Sequence, residues 1–356
     1  MHSSTSNSDS GQLAGFKREV PTKPLFSLVW LAMAASFVIF IGIEIHARNS
    51  GVVPSRANDM IFWNNHRLLL DDTPKNTTVL AGASRITFGF DLDTWEDEVG
   101  NRPFNLGLHG ASFIPMLKDY ALNTEHNGII ICSVAGGFTF ADSNAFFVER
   151  IGKAVDALEA SRRSITVRGH GLTAELLQAR FAALNVDAYS PIQILRDTFR
   201  PSPRTNERAM FFVPYTYRHT EDNQDMFVVD FSDPFHLQEW DGMHKNVLTY
   251  LELGKPRTAR SVVDQITTYI ETIERRGGEV VFVKFPTSRF MKDWEDRRFP
   301  RDKYWDIIIE ETGCRGFHYL DNTNTRDLFP PDGSHLLPLQ AKVFTRELVK
   351  FVYPED

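Results

Sequence analysis

The sequence has 356 residues, of which 42% are hydrophobic and 24% are charged, a composition typical of a folded globular protein. The 39 Lys and Arg residues and 46 Asp and Glu residues give a net charge of −7, which argues against a nucleic-acid-binding protein. Two cysteines exclude a disulfide-rich scaffold. We expect both to be free, because Cys132 lies in an apolar run typical of a buried strand. The mean hydropathy of −0.27 excludes a polytopic membrane protein.

The first predicted element is a single membrane-spanning helix. Residues 25–43 carry no charge and are mostly apolar, and at about 1.5 Å per residue they span roughly the 30 Å core of a bilayer. This length favours an uncleaved anchor over a signal peptide, and a buried core helix is the alternative. More basic residues precede the segment than follow it, which predicts a cytoplasmic amino end and an exported carboxyl domain. We therefore expect four parts, namely a disordered cytoplasmic tail over 1–23, an anchor over 24–46, a polar linker over 47–75 with a short helix at 59–70, and an α/β domain over 76–356.

Strand and helix patterns alternate through the rest of the chain. Short apolar runs predict five strands, at 77–83, 104–108, 129–134, 280–285 and 317–320. Helical patterns occupy 114–123, 259–276 and 339–352. This alternation predicts an α/β fold with a mainly parallel sheet that is covered by helices on both faces.

The segment between the third and fourth predicted strands is longer than a crossover connection requires. It contains helical patterns at 146–160 and 174–184 and a turn-rich aromatic stretch at 201–240. We interpret residues 138–255 as an insertion over the functional edge of the sheet.

Two motifs at opposite ends of this domain carry nucleophilic chemistry. The first strand runs into Gly82-Ala83-Ser84-Arg85, which places a serine at the carboxyl edge of a parallel sheet, where ligands bind. A serine hydroxyl needs a neighbouring base to become a nucleophile. Asp332 and His335 follow the last strand and are spaced so that the carboxylate can orient the imidazole. Ser84, His335 and Asp332 are therefore predicted to form a catalytic triad, and the alternative for Ser84 is a helix N-cap.

Other polar residues are weaker candidates. Arg85 either binds a polar or anionic group of the substrate or pairs with a carboxylate of the protein. His109 either lines the substrate pocket or has a structural role. A second Asp-x-x-His run, at 241–244, follows no predicted strand and is interpreted as a loop, with contact to substrate as the alternative. No spacing typical of a metal site or a phosphate-binding loop occurs, so we expect no metal and no cofactor.

The motifs resemble those of the SGNH (GDSL-like) hydrolase superfamily over roughly residues 77–352. The resemblance implies a flavodoxin-like three-layer fold with a five-stranded sheet, with Ser84 as the nucleophile of the first block and Asp332 and His335 as the last block. The run 105–112 is similar to the second block, in which a glycine amide joins the nucleophile's own amide in the oxyanion hole. Gly110 is the preferred match and Gly107 the second. The third block lacks its asparagine, and only Asn144 lies nearby in the sequence.

The resemblance to membrane-anchored relatives, such as the alginate O-acetylation and teichoic-acid D-alanylation proteins, gives the functional expectation. It implies a bacterial inner-membrane, periplasmic serine esterase or O-acyltransferase acting on acyl groups, acetyl above all, of a cell-surface polysaccharide or a small ester. The expected partners are the membrane, through the anchor, and other envelope biosynthesis proteins, without nucleic acid. The missing asparagine leaves two alternatives open, an inactive binding or scaffold component of a polymer-export complex and a lipase.

Overall fold

The computed structural model describes residues 26–57, 60–142, 146–185 and 216–354. The chain divides into two compact units, Met1–His46 and Ala47–Asp356. The predicted disordered tail over 1–23 lies outside the described residues.

The amino-terminal unit contains most of a long apolar helix, α1, which spans Phe26–Asn49. Its 24 residues have a mean hydropathy of 2.3 over the most apolar window, and no residue of that window is buried within the protein. The helix is thus long and apolar enough to span a membrane, as the sequence predicts. A buried core helix, the alternative considered from the sequence, is not what the chain forms here.

Helices and strands alternate through the second unit. The helices are α2 (Met60–Leu70), α3 (Ser84–Gly89), α4 (Leu92–Val99), α5 (Phe113–Asn123), α6 (Gly136–Thr139), α7 (Phe146–Arg163), α8 (Ile165–Gln178), α9 (Pro234–Glu252), α10 (Ala259–Glu274), α11 (Arg289–Arg298), α12 (Trp305–Thr312) and α13 (Pro338–Val352). The strands are β1 (Val79–Ala81), β2 (Phe104–Asn105), β3 (Ile129–Ser133), β4 (Tyr217–His219), β5 (Asp225–Phe227), β6 (Glu279–Lys284) and β7 (Arg315–His318).

Five of these strands form a parallel sheet in the order β2-β1-β3-β6-β7, and β4 and β5 form a separate antiparallel hairpin. Successive side chains of β3 point to opposite faces of the sheet, where they enter two different hydrophobic clusters. Ile130 packs with residues of α5 and α10, whereas Ile131 packs with residues of α4 and α13. Helices therefore cover both faces, as the alternating pattern predicts.

The predicted linker over 47–75 is wrong, because this segment is part of the folded unit. The predicted short helix forms as α2, and most of its side chains are buried. The indole of Trp63 donates a hydrogen bond to the Leu106 carbonyl at 2.8 Å, and buried Arg67 pairs with buried Asp119. A buried tryptophan and a buried ion pair thus connect α2 to the loop after β2 and to α5.

Within the predicted insertion, the helix expected at 146–160 forms as α7, whereas the helix expected at 174–184 starts earlier and ends at Gln178. Residues 186–215 lie outside the described residues. The predicted loop at 241–244 is wrong, since these residues lie inside α9. That helix begins where the Asp233 carboxylate accepts a hydrogen bond from the Phe235 amide at 2.9 Å, with Pro234 in its first turn. Cys132 and Cys314 are free and buried, as expected.

Candidate functional site

Ser84 lies at the carboxyl edge of the sheet, directly after a tight turn that ends β1. Gly82 adopts a φ of +154°, and a Cβ at this position would lie 2.6 Å from the Cβ of Ser133 on the neighbouring strand. Only glycine allows the chain to pass β3 this closely. The turn starts α3 at Ser84, whose side chain remains partly exposed.

Asp332 and His335 reach the same edge from a turn between β7 and α13. One oxygen of the Asp332 carboxylate, Oδ1, accepts hydrogen bonds from the backbone amides of Ser334 and His335, at 2.9 and 2.8 Å. Gly333 has a φ of +95°, which the turn requires. The aspartate thus shapes the turn with one oxygen and leaves the other for the imidazole.

The three predicted catalytic residues form a continuous hydrogen-bonded chain. His335 Nε2 lies 2.7 Å from Ser84 Oγ, and His335 Nδ1 lies 2.6 Å from Asp332 Oδ2. Asp332 is fully buried and His335 is 4% exposed, whereas the serine is accessible. Residues separated by 251 positions are therefore within hydrogen-bond distance at one point of the surface.

The charge of Asp332 determines where the protons of this chain lie. Burial alone would raise the pKa of Asp332, but His335, His244 and the Ser334 amide lower it to about 2. An ionised carboxylate only accepts hydrogen bonds, so His335 Nδ1 carries a proton that it donates to Asp332. In the neutral imidazole, Nε2 then accepts the hydrogen bond of the Ser84 hydroxyl, which is the arrangement of a general base.

Aromatic rings surround the His335 imidazole. The ring centroids of Phe88, Trp240 and Phe227 lie 4.6, 5.4 and 6.2 Å from that of His335. They come from α3, α9 and β5, so the segment between β3 and β6 forms part of the wall. This environment excludes water from the buried side of the imidazole.

His244 is a neighbour of the site to which sequence reasoning gave little weight. It is buried on α9, and its Nδ1 donates a hydrogen bond to the backbone carbonyl of Asp332 at 3.0 Å. Burial lowers the pKa of His244 to about 4, so its ring is neutral at pH 7. Trp240 and His244 are four residues apart, the spacing of one helix face, and this is the sequence signal that could have placed them together.

His244, Asp332 and His335 also form a set of possible metal ligands, with ligand atoms within 4.8 Å of one another. The sequence spacing did not indicate this set. His335 and Asp332 are bonded to each other, and His244 is bonded to the Asp332 carbonyl. The geometry is thus that of a hydrogen-bonded proton relay.

The three candidates for completing the oxyanion hole have different positions. The Gly107 amide donates a hydrogen bond to the Asn105 side chain at 2.8 Å, so the prediction of Gly107 as a donor is wrong. Gly110 has a φ of +67° and is partly exposed, and within the described ranges no hydrogen bond engages its amide. Asn144 lies outside the described residues. Gly110 therefore remains the candidate on this loop.

The two glycines that follow β3, near the place where the family resemblance would put an asparagine, are closely packed. A Cβ on Gly136 would lie 2.7 Å from the ring of Phe299, and a Cβ on Gly137 would lie 2.8 Å from the Leu251 side chain. A side chain at either position would therefore displace one of these neighbours.

Of the two roles expected for Arg85, the structure shows pairing with a carboxylate of the protein and not binding of substrate. Its guanidinium is buried, lies 2.8 Å from Glu295 and donates from Nε to Ser334 Oγ at 3.1 Å. Glu295 also pairs with Lys284 at 2.7 Å. Burial would raise the pKa of Glu295, but the two cations lower it to about 2. Arg85 thus links α3, α11 and the turn that carries Asp332.

His109, the other predicted substrate-binding residue, is also largely enclosed. Its Nε2 lies 2.7 Å from Asp225 Oδ2 and its ring stacks on Phe88, with centroids 5.8 Å apart. This nitrogen therefore binds the protein and not a substrate. The residue still adjoins Gly110 in the sequence, so its position affects the loop that carries Gly110.

No protein-family model matches this chain, and no curated protein shows significant similarity to it.

Proposed function

We propose that the protein is a membrane-anchored serine ester hydrolase or O-acyltransferase with an SGNH-type active site. The observation that carries this proposal is the hydrogen-bonded chain from Ser84 through His335 to Asp332. The order of the sheet strands, with the first strand between the second and third, supports the flavodoxin-like architecture that the motif resemblance implies. In that architecture residues 138–255 are an insertion, and its described residues Phe227 and Trp240 lie beside His335 at the proposed active site.

The geometry supports a two-step acyl transfer. His335 Nε2 accepts the Ser84 proton as Oγ attacks the ester carbonyl, and Asp332 stabilises the imidazolium that forms. The imidazolium then donates its proton to the departing alkoxide, which leaves an acyl-serine. Water or a sugar hydroxyl attacks this intermediate in the reverse sequence, with His335 again as the base. Hydrolysis and transfer therefore differ only in the acceptor.

The negative charge that develops on the carbonyl oxygen requires hydrogen-bond donors. In this proposal the backbone amides of Ser84 and Gly110 supply them, since Ser84 begins α3 and Gly110 lies on the adjoining loop. In this arrangement both donors are backbone amides. A side-chain amide is not used, because a side chain at Gly136 would collide with the ring of Phe299. The loss of one such donor typically costs about 3 kcal/mol of transition-state stabilisation.

The proposal also covers the cellular location of the protein and the class of its substrate. Helix α1 is long and apolar enough to anchor the protein, and the basic residues before it favour an exported domain at the bacterial inner membrane. The motif resemblance then favours acetyl or similar groups of an envelope polysaccharide as the substrate, in contact with other envelope biosynthesis proteins.

The second candidate is a binding or scaffold component without catalysis. It is favoured by the packing of Phe299 against Gly136, which removes one donor that the resemblance would supply. The two candidates differ in whether Ser84 forms a covalent adduct.

Labelling with a fluorophosphonate probe tests this difference. We expect the detergent-solubilised full chain to be labelled and the Ser84→Ala variant to remain unlabelled with an unchanged melting temperature, because Ser84 is partly exposed and fills no core position. Labelling of both proteins to the same extent would remove Ser84 from the mechanism. A parent protein that is never labelled but binds envelope polysaccharide would favour the scaffold.

A further inference from the structure

The β4–β5 hairpin, residues 217–227, lies against the loop that carries Gly110. This hairpin belongs to the segment between β3 and β6, far in sequence from the loop at residues 106–111, which we call the Gly110 loop. The contacts between them are hydrogen bonds of buried polar groups, which cost free energy when left unpaired.

Asp225 is the centre of these contacts. Its side chain is fully buried, and its two carboxylate oxygens bind two different imidazoles. Oδ2 lies 2.7 Å from His109 Nε2, and Oδ1 lies 2.8 Å from His219 Nδ1. Although burial raises the pKa of Asp225, the two histidines lower it far below its usual range, so the group is a carboxylate. Each histidine must then donate an N–H, which fixes the orientation of the His109 ring next to Gly110.

Asn223 adds a second connection at the tip of the same hairpin. Its side-chain amide donates to the carbonyl oxygens of Asn105 and Gly107, at 2.8 and 2.7 Å. Its φ is +61°, a left-handed conformation that asparagine adopts more readily than most residues. The hairpin thus holds the backbone at the start of the Gly110 loop and the side chain at residue 109.

Farther along the same face, the hairpin packs on the proton relay. Tyr217 and Phe227 contact the Phe88 ring, with centroids at 5.4 and 4.8 Å, and Phe88 in turn lies against His335. The hairpin therefore adjoins both the base and the loop proposed to bind the oxyanion.

We propose that Asp225 and Asn223 are positioning residues that hold the Gly110 amide in place for the oxyanion, so that the segment between β3 and β6 completes the active site. The assignment of the loop to the oxyanion rests on the proposed ester chemistry, whereas the attachment of the loop to the hairpin does not. Misplacement of a transition-state donor lowers kcat more than it raises KM.

Two isosteric substitutions and one matched control test this assignment. Asp225→Asn replaces one acceptor by an NH2 group that faces an imidazole N–H. Asn223→Asp replaces the NH2 group that donates to two carbonyl oxygens by an oxygen that can only accept. It provides an independent perturbation if Asp225→Asn does not fold. Asp222→Asn makes the same chemical change in the same hairpin, but its carboxylate is exposed and pairs with Arg102 on the surface.

Hydrogen exchange followed by mass spectrometry measures the attachment without any catalysis. We expect faster exchange of amides in residues 104–112 in Asp225→Asn and Asn223→Asp of the full chain, and unchanged exchange in Asp222→Asn. With an activated acetate ester, we expect kcat to fall at least about tenfold in the first two variants, with KM within about twofold.

Parental exchange over residues 104–112 in both variants would overturn the attachment. Faster exchange together with a parental kcat would overturn the positioning role. A parent protein without any esterase activity or serine labelling would refute the proposed function, and the exchange data would still decide whether the hairpin holds the loop.

Discussion

Asp332→Asn is the substitution that discriminates most sharply between a working relay and a coincidental contact. Oδ1 of Asp332 accepts from two backbone amides and Oδ2 accepts from His335 Nδ1. In the asparagine variant the two backbone donors require the side-chain oxygen, so the new NH2 group faces His335. His335 Nδ1 must then accept, and the ring proton moves to Nε2, where it points at Ser84. The imidazole can no longer remove the serine proton.

The size of the effect follows from this change of tautomer. The loss of a correctly oriented base in a serine–histidine–aspartate relay typically lowers kcat by about 10⁴, or about 5 kcal/mol of transition-state stabilisation. Stability also falls, because the pKa of about 2 for Asp332 lies below that of the unfolded chain. That difference corresponds to about 2.5 kcal/mol at pH 7, and it disappears as the pH falls from about 4 to about 2.

The assay is hydrolysis of an activated acetate ester by the full chain in detergent, alongside thermal unfolding of the same samples. Asp222→Asn is the control, because it removes an exposed carboxylate with no contact to the relay. We expect Asp332→Asn to be folded at the assay temperature and about 10⁴-fold slower than the parent, and the control to match the parent. A folded Asp332→Asn protein within tenfold of the parental kcat would refute the tautomer argument.

Two further predictions concern stability. Arg85→Met leaves Glu295 buried with one cation in place of two, so we expect a loss of about 3 to 5 kcal/mol in urea unfolding with no change in KM; a raised KM at parental stability would instead mean that Arg85 binds substrate. Burial, then the charge of Arg56, lowers the pKa of His66 to about 3. Because this lies below the value of 6.5 in the unfolded chain, stability falls as the pH drops from 6.5 towards 3. Between pH 7 and 4 the parent should lose about 3 kcal/mol more than His66→Gln, and equal losses would contradict the burial argument.

The sequence alone was sufficient for the elements with strong periodic patterns. The buried strands β3 and β6 and the amphipathic helices α5, α10 and α13 lie within a few residues of their predicted bounds. Local hydrophobic periodicity specifies such elements because each buries one face against the sheet. It did not predict α9, whose buried face consists of Trp240, His244 and Leu248 and so includes a polar residue at the candidate site.

For the candidate site, the sequence identified the side chains that could act as nucleophile, base and carboxylate. It predicted Ser84 and the Asp332–His335 pair, because the carboxyl ends of parallel strands share one edge. The roles of Arg85 and His109 were decided only by tertiary contacts, with Glu295 and Asp225, and that of Gly107 by a local hydrogen bond to the Asn105 side chain. Each of these partners is distant in sequence or makes a contact with no periodic pattern. Whether a polar side chain faces a substrate or the protein's own interior depends on what folds against it, and that packing exists only in three dimensions.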